Sequence, residues 1–283
     1  MVRTSLTDLK HSFQLTTLVL ISVFVTLFAH RRERHEKELT QLRSVAEAAQ
    51  QVVLRPLPRR IGPLRIASVY LAAEAEAQIG GDLFAAARAG QGTRFIVGDV
   101  RGKGLGAIGD AALLLGAFRS AAHRQADLTA SVLDIPDDAP VVHLINCGHP
   151  PPLLLHKGQV TSLEVSDPAP PLGLEEFAAA PSAAETFPFE PGDFLLLYTD
   201  GVIEARDGSG AFYPLAQRMG TVPEDDAQGF VRHLQEDLLA YTPGGHLGDD
   251  AAMVAIERGL TARTSAVSVA GDCWGPRPSG STR

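Results

Sequence analysis

Four places in the sequence put aspartate beside glycine at the end of an apolar run. Asp82 follows two glycines, Asp99 follows an apolar run that ends in glycine, and Asp200 precedes a glycine; the pair Asp249-Asp250 comes before the last apolar run. Carboxylates at strand ends, where glycine lets the backbone approach, are typical of sites for hard divalent cations, because Mg²⁺ and Mn²⁺ prefer oxygen ligands. Taken one at a time, these aspartates are equally typical of ordinary turns.

The elements that must position these aspartates are predicted by apolar periodicity. Beyond Leu64, short apolar runs bounded by Gly, Pro and Asp predict β-strands, and Lys157-Gly158 predicts a hairpin turn between two of them. Apolar residues at three- and four-residue spacing predict helices over 107–123 and 226–241. Strand-rich stretches with a few amphipathic helices indicate an α+β fold, with helices outside antiparallel sheets.

The first apolar segment runs from Ser12 to Ala29 and carries no charge. Its length predicts a single membrane-spanning helix; a cleaved signal peptide and a buried core helix are the alternatives. More basic residues follow the segment (Arg31, Arg32, Arg34 and Lys37) than precede it (Arg3 and Lys10). By the positive-inside rule, we expect a single-pass protein of the cell membrane whose main domain lies in the cytoplasm.

Four regions follow from these patterns. They are a transmembrane helix over 1–30, a helical linker over 31–62, a main domain over 63–258 and a disordered tail over 259–283, which is rich in Gly, Ser, Thr and Pro. The linker fits a solvated spacer and a coiled-coil relay equally well, and the second reading would permit a homodimer.

Composition excludes several classes of function. A net charge of −8 argues against nucleic acid as a partner, because phosphate binding needs a basic face. The two cysteines, Cys147 and Cys273, form no CxxC motif, so neither a disulfide framework nor a zinc site is indicated, and the pattern suits a reducing compartment.

Three other motifs are interpreted as structural. The GxGxxG pattern that starts at Gly104 lacks the second strand with a terminal acidic residue that a dinucleotide site requires. The prolines after His149 indicate a turn and therefore a structural loop histidine. The acidic run of Asp134, Asp137 and Asp138 indicates a solvated hairpin turn.

The order of the segments adds a resemblance. IGGDLF, FIVGDVRGKG, NCGHPPPLLL, FLLLYTDGVIEA and GDDAAMVAI occur in that order over about residues 51–257. They resemble the SpoIIE/RsbU branch of the metal-dependent serine/threonine protein phosphatases, the type 2C or PPM superfamily. The resemblance implies a type 2C phosphatase-like sandwich of two antiparallel sheets flanked by helices.

The same resemblance implies a centre of two divalent cations, Mn²⁺ or Mg²⁺. Asp82, Asp99, Asp200 and Asp249 would be metal ligands with the carbonyl of Val100, the first three would be the catalytic residues, and Asp250 is the alternative to Asp249. Arg101 and Lys103 would lie beside the site, where they could steady a phosphate or remain solvated. The implied reaction is hydrolysis of phosphoserine or phosphothreonine on a partner protein, a STAS-type anti-sigma-factor antagonist in bacterial partner switching.

Two departures from the family pattern bear on activity. The segment near 124–131 is shorter than the family's, which normally has another helix there, and Ala85 occupies a position that is often acidic in the family. The rival hypothesis is therefore a membrane-anchored regulatory module of the same fold, which binds partners but turns over poorly.

Overall fold

The structure is a computed structural model. It describes residues 16–32, 34, 54–73, 81–100, 105–121, 131–170, 183–223 and 226–259. The predicted linker lies mostly outside these residues, as do the predicted tail beyond residue 259 and all but the last residue of the shortened segment near 124–131. The homodimer expected from the linker and the boundaries of the four regions therefore stay predictions.

Eleven strands and five helices make up the described part of the chain. The helices are α1 (16–32), α2 (Leu105–Ala121), α3 (Asp200–Ile203), α4 (Leu215–Met219) and α5 (Ala227–Tyr241). The strands are β1 (Arg60–Ile61), β2 (Leu64–Leu71), β3 (Asp82–Ala89), β4 (Gly92–Asp99), β5 (Ser131–Pro136), β6 (Val141–Ile145), β7 (Leu153–His156), β8 (Gln159–Ser162), β9 (Glu185–Pro188), β10 (Phe194–Tyr198) and β11 (Ala251–Arg258).

The strands form two antiparallel sheets. The first has the order β1-β2-β11-β10-β7-β8, and the second has the order β3-β4-β5-β6-β9. Helix α5 packs on β2 and β11 of the first sheet, and α2 packs on β3 of the second. The predicted α+β class, a sandwich of two antiparallel sheets flanked by helices, is confirmed.

Strand β10 shows how the core is divided. Leu195 and Leu197 pack in the apolar cluster between the two sheets. The alternate residues, Phe194, Leu196 and Tyr198, pack in a second apolar cluster with the buried face of α5. Successive side chains of a strand point to opposite faces, so an unbroken apolar run is buried on both sides. This double burial fixes the end of β10, which leads into the candidate site.

The local predictions agree with the structure in most places. Lys157 and Gly158 have φ values of 50° and 77° and close the β7–β8 hairpin, as the sequence indicates. Helix α5 is capped by Asp226, whose side chain accepts a hydrogen bond from the Gly229 amide.

The prediction of a membrane-spanning helix over 1–30, and with it single-pass localisation at the cell membrane, is wrong. Among the residues that the structure describes, no helix is both long and apolar enough to cross a bilayer. The described residues of helix α1, 16–32, include Arg31 and Arg32 at their end.

Candidate metal centre

Antiparallel pairing brings four strand ends to one edge of the sandwich. Asp82 begins β3 and Asp99 ends β4, and the two residues are paired directly across the second sheet. In the first sheet, Tyr198 ends β10 opposite Met253, near the start of β11. In an antiparallel pair, the start of one strand lies beside the end of its neighbour. Aspartates far apart in the sequence are thus collected at one edge.

Three of the predicted aspartates meet there. Carboxylate oxygens of Asp82, Asp99 and Asp200 all lie within 4.8 Å of one another. Asp82 is buried, Asp200 is half-buried and Asp99 is exposed, so the cluster runs from the interior to solvent. This spacing would let one cation contact all three carboxylates while a substrate approaches from the exposed side.

Gly81 allows the two strands of the second sheet to approach at the site. A Cβ atom on this residue would lie 2.0 Å from the carbonyl oxygen of Val100 and 2.6 Å from Oδ1 of Asp99. The amide of Val100 also donates to the Gly81 carbonyl at 3.1 Å. The Val100 carbonyl, predicted as a ligand, therefore flanks the same point as the Asp99 carboxylate.

Gly201 allows a similarly close approach of two backbone segments at the edge of the first sheet. A Cβ atom on Gly201 would lie 1.9 Å from the carbonyl oxygen of Asp250 and 3.4 Å from that of Asp249. Only a residue without a side chain can follow Asp200 here, because a backbone atom cannot move away as the end of a flexible side chain can. The turn before β11 is in this way held against the start of α3.

Thr199 joins the two sheets at the site and was missed in the sequence analysis. Its hydroxyl donates to Oδ2 of Asp82 at 2.6 Å and accepts a hydrogen bond from the Ala252 amide at 2.8 Å. The side chain is fully buried. Only its position directly before Asp200 at a strand end could have indicated this role, because its two partners are distant in the sequence.

The Asp82 carboxylate is electrostatically unfavourable without a counter-charge. Burial, together with the smaller effects of the nearby Asp99, Asp200 and Asp250, raises the pKa of Asp82 to about 8 against the opposing hydrogen bond from Thr199. The group therefore holds a proton at neutral pH unless a cation replaces it.

The remaining predicted residues lie around this cluster. Oδ1 of Asp249 accepts a hydrogen bond from the Asp250 amide, while Oδ1 of Asp250 accepts one from the Ala73 amide at 2.7 Å. Neither carboxylate belongs to the group of three, and the Asp250 charge acts on Asp82. Arg101 and Lys103 lie outside the described residues.

The donor set fits a divalent cation of the hard class. It consists of three carboxylates that repel one another, with a backbone carbonyl beside them. Oxygen-only sites of this kind suit Mg²⁺ and Mn²⁺. A cation would offset the repulsion that raises the pKa of Asp82.

Comparison with known proteins agrees with the motifs. Residues 127–259 match the model of the family described as stage II sporulation protein E, SpoIIE. No curated protein sequence matches the chain.

Several solved structures share the fold. The RsbU and RsbW domains of a Mycobacterium tuberculosis protein align with a TM-score of 0.58 at 24% identity, over 72% of this chain and 63% of that one. The PP2C phosphatase domain of SpoIIE from Bacillus subtilis, solved with a fragment of its regulatory domain, gives 0.57 at 16%, over 69% and 62%. The SiaA-PP2C domain of Pseudomonas aeruginosa gives 0.57 at 15%, over 79% and 98%.

This chain therefore spans less than two thirds of the first two structures, and at these identities the likeness is one of fold. The resemblance to SpoIIE/RsbU-type phosphatases is nevertheless confirmed by the family match together with the fold. Residues 127–259 match the SpoIIE family model, and the described part of the chain has a fold similar to that of the PP2C phosphatase structures.

Proposed function

We propose that the protein is a metal-dependent serine/threonine protein phosphatase. One observation carries the proposal: three carboxylates from separate segments of a PP2C-type fold meet within 4.8 Å at a sheet edge that is open to solvent. In such sites, divalent cations activate a water molecule and orient the phosphate for in-line attack on phosphorus.

The residues around the site have two roles in this proposal, binding the cations and orienting a ligand. Asp82, Asp99 and Asp200 hold the two cations, Mn²⁺ or Mg²⁺, with the Val100 carbonyl and Asp249 as further ligands and Asp250 as the alternative to Asp249. Thr199 fixes the orientation of the Asp82 carboxylate through its 2.6 Å hydrogen bond.

The substrate we propose is phosphoserine or phosphothreonine on a partner protein, a STAS-type antagonist. A site at an open edge, with Asp99 exposed, admits a side chain presented by another folded protein. The neighbouring structures support a regulatory setting, because one of them contains RsbU and RsbW domains in the same protein.

Hydrolysis of p-nitrophenyl phosphate by the full chain with Mn²⁺ tests the reaction. Asp200→Asn should lower kcat/KM by about 100-fold or more. The change removes a carboxylate ligand of the divalent cations, which stabilise the transition state by several kcal/mol. Asp134→Asn is the matched control, since Asp134 lies at the far end of the sandwich in an ion pair with Arg94. Equal activity of wild type and Asp200→Asn would contradict the proposal.

The same experiment distinguishes this proposal from the rival hypothesis, a regulatory module of the same fold with poor turnover. It predicts that wild type binds Mn²⁺ and yet hydrolyses the ester no faster than Asp200→Asn. A phosphoserine peptide and a phosphotyrosine peptide of the same sequence then test the substrate class, and we expect faster release of phosphate from the first.

A further inference from the structure

The loop between β6 and β7 crosses from one sheet to the other at the acidic edge. Strand β6, which precedes the loop, ends at Ile145, and Ile145 pairs with Val132 on β5. The adjacent residue of β5, Ser131, pairs with Val97 on β4. The loop over 146–150 therefore leaves the second sheet on the side where β4 reaches Asp99. The prolines that follow His149 in this loop predict a structural role for it.

The backbone of His149 is held from two sides by one buried side chain. Asn146 Oδ1 accepts a hydrogen bond from the His149 amide at 2.9 Å, and Asn146 Nδ2 donates to the His149 carbonyl at 2.8 Å. Gly148 supplies the left-handed backbone, with φ of 78°, that lets the chain turn inside this bridge. The imidazole ring is thus presented in a fixed place.

The ring itself has a defined tautomer. His149 Nδ1 lies 3.2 Å from the carbonyl oxygen of Pro150, which can only accept, so the hydrogen is on Nδ1. Nε2 consequently carries a lone pair and acts as an acceptor. It is buried and has no hydrogen-bond partner among the residues that the structure describes. A buried acceptor without a donor is uncommon in folded proteins and calls for an explanation.

The surroundings of the ring indicate what that donor is. The Asp200 carboxylate acts electrostatically on the His149 ring, in agreement with a loop that leaves the second sheet at the acidic edge. Nε2 does not belong to the described group of ligand atoms that lie within 4.8 Å of one another. Nε2 is therefore not one of the atoms that the structure groups around a single shared ion.

We propose that His149 is a positioning residue of the metal centre, whose Nε2 accepts a hydrogen bond from a water molecule held beside Asp200. This inference rests on the proposed metal site. It assigns the imidazole the task of orienting that water, as partners of ligands do in other metal centres.

Mn²⁺ titration of the full chain by calorimetry tests the inference without using activity. His149→Ala should weaken Mn²⁺ binding by about tenfold or more, the effect of losing an outer partner. His149→Gln should recover most of the affinity, because its amide oxygen can replace the Nε2 acceptor. His143→Ala is the control, since His143 bonds only to Thr186 at an exposed position of the second sheet in the described structure.

Nitrogen NMR of the wild-type histidine rings supplies a readout that needs no substitution. We expect an unprotonated Nε2 for His149, whose resonance moves on addition of Mg²⁺ while that of His143 does not. A protonated Nε2, or unchanged Mn²⁺ affinity in folded His149→Ala, overturns the role of His149 and leaves the metal centre standing. A wild-type protein that binds no Mn²⁺ overturns both.

Discussion

The two ends of the sandwich treat buried charge in opposite ways. At the far end, the Arg258 guanidinium donates to the carbonyls of Ala139 and Pro136, and buried Asp193 bonds to His156 at 2.7 Å and to the Glu190 amide. At the near end, Asp82, Asp99 and Asp200 face one another within 4.8 Å. Opposite charges and hydrogen bonds stabilise the first arrangement, whereas the second requires either an added cation or a proton on Asp82 to offset its repulsion.

This difference teaches how to separate structural from functional charge in one fold. Burial lowers the pKa of Arg258, but Asp137, Glu190 and Asp193 oppose that shift. Around Asp82, burial and the neighbouring carboxylates act in the same direction. We therefore expect substitutions at the far end to change folding stability alone, and substitutions at the near end to change cation binding as well.

Gly201→Ala should have the largest effect of the substitutions that follow. Its Cβ would lie 1.9 Å from the Asp250 carbonyl, so the turn before β11 must move, at a cost of about 3 kcal/mol or more in the free energy of unfolding. Mn²⁺ binding should be lost with it. The control Gly208→Ala, where a Cβ meets nothing within 4 Å, should stay within about 0.5 kcal/mol in urea unfolding.

Arg258→Met removes the buried guanidinium at the far end of the sandwich. The change leaves the carbonyls of Ala139 and Pro136 without their donor and should lower the free energy of unfolding by about 2–3 kcal/mol. Mn²⁺ affinity, measured by calorimetry below the unfolding transition, should equal that of wild type. Arg94→Met, which removes only a partly exposed ion pair with Asp134, should cost about 0.5 kcal/mol or less. A Mn²⁺ defect in Arg258→Met would undo the comparison.

The pH dependence distinguishes the ends without mutation. The folded pKa of Asp82, about 8, lies above the value of 3.8 that is ordinary for an aspartate, so between these values the folded state holds a proton that the unfolded chain has lost. For the cation-free protein, Asp82 therefore makes the free energy of unfolding fall as pH rises from 4 towards 8, by up to about 1.4 kcal/mol per pH unit. Thermal unfolding in EDTA measures it, and Asp82→Asn should flatten this part of the profile.

The same proton opposes the cation. Mn²⁺ must displace it below pH 8, so apparent affinity should fall by up to about tenfold for each pH unit below that value. Calorimetry in buffers of different ionisation enthalpy would show the released proton. Affinity that is constant between pH 6 and 8 would contradict the assignment of Asp82.

Thr199→Val should destabilise the fold less than Gly201→Ala and Arg258→Met. It removes the hydrogen bonds to Asp82 and from the Ala252 amide, at about 1–2 kcal/mol of folding stability, while keeping the shape of the side chain. Mn²⁺ affinity should fall by about tenfold, because the Asp82 carboxylate loses its orientation. Thr186→Val, on the exposed face of the second sheet, serves as the control. A stable Thr199→Val protein with wild-type affinity would show that Thr199 only joins the sheets.

Local patterns predicted the parts of the fold that local physics decides. The Lys157-Gly158 turn follows from the left-handed backbone that such hairpins need, and helix α5, predicted over 226–241, begins directly after its Asp226 cap. The convergence of Asp82, Asp99 and Asp200 was predicted by the order of the motifs, through their resemblance to a family. The motifs themselves are ordinary turn sequences.

Contacts that depend on how the sheets stack could not be predicted. Thr199 and Asp82 are 117 residues apart, and nothing near either one indicates the other. The partner of His149 is likewise set by the crossing loop rather than by the prolines that follow it. The prediction of a membrane helix was wrong for a different reason: it counted apolar residues over 12–29, whereas no helix among the described residues is both long and apolar enough to cross a bilayer.

Calorimetric titration of the full chain with Mn²⁺ at pH 8 tests the central claim most directly. We predict saturable binding by wild type and by Asp134→Asn at the far end of the sandwich, and loss of that binding in Asp99→Asn, whose carboxylate is exposed and can be replaced without disturbing the core. Absence of saturable binding by wild type, or equal affinity in Asp99→Asn, would contradict the account.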